Sequence, residues 1–96
     1  MSTNGGFYMN NQDYKIIATI LDVKGDCAAG HKKGDSFEIN NLKTNGLCGS
    51  FYHQIFPSLL TYQFGGKCPW WKDETLEFKC PDALNLVTMK IEKIKI

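Results

Sequence analysis

Between Leu47 and Phe64 the chain changes period, and this fixes what the rest can build. Leu47, Phe51, Ile55 and Leu59 recur every four residues, with Tyr52, Phe56 and Leu60 beside them. That spacing predicts an apolar helical stripe that must cover something. Ser50 is the expected N-cap. Pro57 removes one backbone hydrogen bond and crowds the preceding turn, which predicts a kink or two short helices meeting there. Gly65 and Gly66 end the helical segment.

Period-two segments stand on both sides. Tyr14 to Lys24 is rich in Ile, Val, Leu and Thr, with apolar residues at both parities, as in a central strand. Gly25 to Gly34 is a glycine-rich turn, and Asp35 to Asn40 alternates with Phe37 and Ile39 on one face. Asn40, Asn41, Thr44, Asn45 and Gly46 mark a loop. After Trp71 the alternation returns. Leu76, Phe78 and Cys80 share one face, which points Cys80 into the core at a strand end. Pro81-Asp82 breaks that strand. In Leu86 to Ile96 the residues Val87, Met89 and Ile91 point one way, but Ile94 and Ile96 have the opposite parity. A bulge near Glu92-Lys93, or a strand leaving one partner for another, would account for the slip. The order strand, strand, helix or helix pair, strand, strand predicts an α+β fold: a small antiparallel sheet, two hairpin-like strand pairs with the helical segment between. An open sheet is preferred to a partial barrel.

With 96 residues the chain is one domain. Its 43% apolar content supports a core, though a small one. Eleven basic and ten acidic side chains give a net charge of +1, with no basic stripe to track phosphates, so no nucleic-acid partner is expected. No apolar run is long enough to span a membrane. The polar segment Met1 to Asn11 reads as a disordered tail, and the ordered domain as residues 12–96. The tail has no export-signal pattern, so a cytoplasmic location is expected. There Cys27, Cys48, Cys68 and Cys80 are free thiols, metal ligands or redox groups rather than two disulfides.

Four features could carry chemistry. Cys27 and His31 lie four positions apart in a turn that Gly30 allows to bend. With Cys48 and Cys80 as further donors they could form a zinc or iron site, since soft sulfur and imidazole ligands suit those metals. No Cys-x-x-Cys pair is present, and against the metal stands packing of Cys27 and Cys80 as small buried hydrophobes, with His31 bonded to its own turn. Cys48, at the helix start, could instead be a reactive thiol, with His31 as its base if the turn packs there. Lys32 and Lys33 could hold an anion, or form a solvated hairpin tip with Asp35 bonded to the turn backbone. Of the adjacent Trp70 and Trp71, one could close the core and the other wall a pocket or a dimer contact. No Ser-His-Asp, Walker or GxGxxG arrangement exists.

Read together, several pieces resemble an uncharacterised family of short prokaryotic proteins of about this chain's length, frequent in anaerobes. They are Cys27-Ala28-Ala29-Gly30-His31-Lys32-Lys33-Gly34-Asp35-Ser36-Phe37, then Gly46-Leu47-Cys48, then Phe64-Gly65-Gly66 with Pro69-Trp70, and Cys80-Pro81-Asp82. The resemblance covers the chain from about Tyr14 to its end and brings no reaction with it. It implies that Cys27, His31, Gly34, Asp35, Cys48, Cys80 and Asp82 belong to one pattern and that Cys68 lies outside it.

The sequence thus points to a small binding domain with a Cys/His-lined site. Cys27, His31, Cys48 and Cys80 are the candidate metal or thiol residues. His31, Asp35, Trp70 and Asp82 are the candidate ligand-binding residues. The other readings are a small-molecule binder or enzyme with a pocket near His31 and Trp70, and a homodimeric interaction module.

Overall fold

The computed structural model describes residues 14–72 and 75–95. The expected tail at Met1 to Asn11 lies outside them. Four strands form one open antiparallel sheet: β1 (Tyr14–Val23), β2 (Ser36–Ile39), β3 (Leu76–Lys79) and β4 (Val87–Lys95), in the order β2-β1-β4-β3. A single helix, α1 (Gly49–Gln63), covers one face. The fold is α+β and open rather than a barrel. No helix among the described residues is long and apolar enough to cross a membrane.

The two long strands lie in the middle. Ile16, Ala18 and Ile20 of β1 and Val87, Met89 and Ile91 of β4 are buried against Phe51, Ile55, Leu59 and Tyr62 of α1. The bulge falls elsewhere than the parity slip predicted. The register runs unbroken from Ile91 to Lys95 against Ala18 to Tyr14, and shifts instead between Ile20 and Asp22. The extra residue, Leu21, turns Val23 rather than Asp22 to the core face, opposite buried Val87. A strict alternation would have placed the Asp22 carboxylate there, where burying a charge is costly. At the other end Lys93 keeps the core parity. Its Nζ sits 4.7 Å from the centre of the Tyr62 ring, so the cation is held on an aromatic face rather than buried bare.

Of the two expected forms the helix takes the single one: it is one 15-residue element with Pro57 inside it, not a pair. Pro57 and His53, whose carbonyl loses its partner, are both exposed, on the side of the helix open to solvent. Cys48, not Ser50, occupies the N-cap, and its side chain makes no capping bond. At the C-terminus Gly65, with φ +84°, donates to the Tyr62 carbonyl, and Gly66 donates to that of Thr61. This paired closure needs a positive φ that glycine adopts freely.

The strand directions put the β1–β2 turn and the β3–β4 turn at the same end of the sheet. The α1 N-terminus reaches that end, and Gln54 Nε2 donates to the Lys79 carbonyl at the close of β3. The connection from β2 to α1 is fastened at the other end. There buried Gln63 exchanges two hydrogen bonds with Asn41. Burial pushes the Tyr52 phenol up, so it remains a donor to the Asn40 carbonyl.

Candidate functional site

The end where the two turns meet the helix holds a cavity of about 230 Å³. Cys27 and His31 border it from the first turn, Cys48 from the helix start and Cys80 and Asp82 from the second turn. Five of the sequence-derived candidates therefore converge, although they span residues 27 to 82.

His31 ties the first turn to the helix. It is 7% exposed, its ring lies 4.9 Å from that of Phe37, and its Nε2 accepts the Cys48 backbone N–H at 3.0 Å. A backbone N–H only donates, so Nε2 carries no proton and the neutral ring is protonated at Nδ1. Among the described residues no group accepts from Nδ1–H. This bond answers two expectations. His31 does not close on its own turn, as a purely local role would require. Nor is it placed as a base for the Cys48 thiol, because its lone pair faces the backbone N–H instead.

The turn itself is closed by other groups. The Gly30 N–H donates to the Cys27 carbonyl, and the Lys32 N–H donates to the Asp35 carboxylate. The Ile20 N–H donates to the Asp35 carbonyl, which anchors the turn on β1. Asp35 borders neither cavity that His31 borders; it shapes the turn. Lys32 and Lys33 line a second, more open hollow that Cys27 and His31 also border, together with Asp22 and Asp26, so opposite charges mix there.

The second turn is locked by Asp82, Asn85 and Cys80. The Asp82 carboxylate accepts from the Asn85 side chain and from the Asn85 and Leu84 N–H groups, and these bonds hold its pKa below the ordinary value. That contribution is present at neutral pH and is lost as the pH falls through the lowered value. Asn85 Oδ1 then accepts the Asp26 N–H, joining the two turns. Cys80 Sγ accepts the Val87 N–H at 3.2 Å and lies 3.7 Å from the Asp82 carbonyl oxygen. Its sulfur is thus part of the hairpin closure.

The other cysteines differ. All four are free and half-buried, but the sulfurs of Cys27 and Cys48 have no hydrogen-bond partner among the described residues. No group of three or more His, Cys, Asp or Glu side chains among the described residues is placed to hold a metal ion. The residues grouped for zinc or iron share a cavity, with the Nε2 lone pair of His31 and the Cys80 sulfur already engaged.

The tryptophans divide as their adjacency suggests. Trp71 packs edge-on against Tyr62, whereas Trp70 is 74% exposed and borders neither cavity. Neither of these two cavities is shared by His31 and Trp70. The role of Asn85 had no sequence signal beyond its place after Pro81-Asp82. Comparison with protein-family models, curated proteins and solved structures gives no match.

Proposed function

We propose that this chain is a small-ligand-binding domain whose pocket presents two thiols, Cys27 and Cys48. The observation that carries the reading is their shared cavity, bordered also by buried His31, whose Nδ1–H meets no acceptor among the described residues. Buried polar groups rarely go without a partner, so a donor in this position favours a ligand or water that accepts from it. The α1 N-terminus adds backbone N–H groups with no side-chain cap among the described residues and no acidic residue in the first turn. Cavities of a few hundred cubic ångströms that combine apolar walls with a few polar groups are the usual form of small-molecule sites. Here Phe51 and Val87 supply apolar wall and the two thiols supply soft, reactive sulfur.

Alkylation tests it. In a Cys68→Ser protein under native conditions, N-ethylmaleimide should modify Cys27 or Cys48, and the first adduct should block the second. Intact mass spectra would then show a persistent single adduct, shared between the two sites on peptide mapping. Independent labelling of both at unchanged rates would remove the common pocket. Zinc titration of the reduced protein addresses the metal alternative, for which stoichiometric uptake with loss of alkylation at three cysteines would be the signature.

A further inference from the structure

We propose that Cys48 and Cys27 act as an exchange pair toward low-molecular-weight disulfides, with Cys48 attacking and Cys27 resolving. The proposal rests on the pocket reading above and adds a substrate class to it.

Two observations separate these two thiols from the others. Both border the same cavity, and neither sulfur is held by a hydrogen bond among the described residues. Cys80 borders that cavity too, but its sulfur accepts the Val87 N–H within the hairpin, so reaction there would break the turn. Cys68 borders neither that cavity nor the more open hollow. The order of attack follows from position. Cys48 stands at the N-cap of a 15-residue helix whose first N–H groups lack a side-chain cap. That end of a helix favours negative charge, which an attacking sulfur carries. Cys27 sits in a glycine-containing turn, four residues before His31, which pins that turn to the Cys48 backbone. His31 is here a positioning residue.

The chemistry balances without a cofactor. The Cys48 thiolate attacks one sulfur of R–S–S–R, the S–S bond breaks, and R–S⁻ leaves and takes a proton from solvent. The Cys27 thiolate then attacks Cys48 Sγ, the mixed disulfide breaks, and the second R–S⁻ leaves. Two protein thiols are oxidised to one disulfide, and one small disulfide is reduced to two thiols.

The test uses 2-hydroxyethyl disulfide on the reduced Cys68→Ser protein, read by intact mass and peptide mapping. The expected product is lighter by two hydrogens, with Cys27 bonded to Cys48 and no lasting adduct. Cys27→Ser should instead accumulate a stable adduct on Cys48. Cys48→Ser, and Cys48→Ala as a second variant, should lose both products. A lasting adduct on Cys48 while Cys27 is intact, a first adduct on Cys27, or a bond to Cys80 would overturn the assignment. If alkylation remains mutually exclusive while no internal disulfide forms, the pocket stands and the exchange pair falls. If alkylation is independent at the two sites, the pocket itself falls.

Discussion

Replacing His31 with Ala should destabilise the protein by about 2–3 kcal/mol, and the loss should be concentrated at one end of the sheet. Two contributions combine. The Cys48 N–H loses its acceptor in a partly buried place, and a stranded donor of that kind costs about 1–3 kcal/mol. The ring also leaves its contact with Phe37, and pairs of this type contribute about 0.5–1.5 kcal/mol. The β1–β2 hairpin should survive, because its own bonds between Ile20, Gly34 and Asp35 do not involve the imidazole. Hydrogen exchange would therefore show lost protection at Cys48 but retained protection at Ile20. His31→Gln should recover part of the stability, since its amide oxygen extends about as far as Nε2 and accepts the same N–H. Equal losses for Ala and Gln would mean that the ring acts by packing alone.

Gly25→Ala should have a comparable effect, about 2–4 kcal/mol, by a different route. Gly25 has a φ of +77°, where an L side chain costs about 1–2 kcal/mol. A Cβ there would also lie 2.4 Å from Asn85 Oδ1. That oxygen belongs to a flexible side chain, but the side chain is held by bonds to Asp26 and Asp82. Moving it aside would release both turns around the cavity. The two causes separate in a double-mutant cycle with Asn85→Gly. The backbone strain persists in the double variant, whereas the clash does not, so the measured cost of Gly25→Ala should fall in the Asn85→Gly background. Strict additivity in urea unfolding would assign the whole effect to the backbone.

These two residues show where the sequence was legible and where it was not. The elements follow from period. The four-residue recurrence from Leu47 to Leu59 specified the helix, and the alternation of Val87, Met89 and Ile91 specified the buried face of β4. Local rules were less sufficient where tertiary contacts decided the outcome. Pro57 did not split α1, because the bond it removes faces solvent. The bulge fell at Leu21 rather than near Glu92, because Lys93 could stay on the core face over Tyr62 while Asp22 could not be buried. Of the candidate residues, Cys27, His31, Cys48, Cys80 and Asp82 border one cavity, whereas Asp35 and Trp70 do not. Their roles were not legible in the sequence. Spacing cannot distinguish a sulfur that accepts a backbone N–H, as in Cys80, from one with no hydrogen bond among the described residues, as in Cys48. Nor can it reveal that the His31 lone pair is directed at a backbone donor 17 residues away. Trp70 lay outside the site for a related reason: adjacency told that one tryptophan would pack, and the partner that took Trp71 was Tyr62, away from the cavity.

The account turns on His31 joining the first turn to the helix start, which is what sets Cys27 and Cys48 on one cavity. Nitrogen-15 NMR of the His31 ring tests that joint most directly. The ring should carry its proton at Nδ1, with Nε2 coupled through a hydrogen bond to the Cys48 amide proton. A ring protonated at Nε2, with no coupling to Cys48, would contradict it.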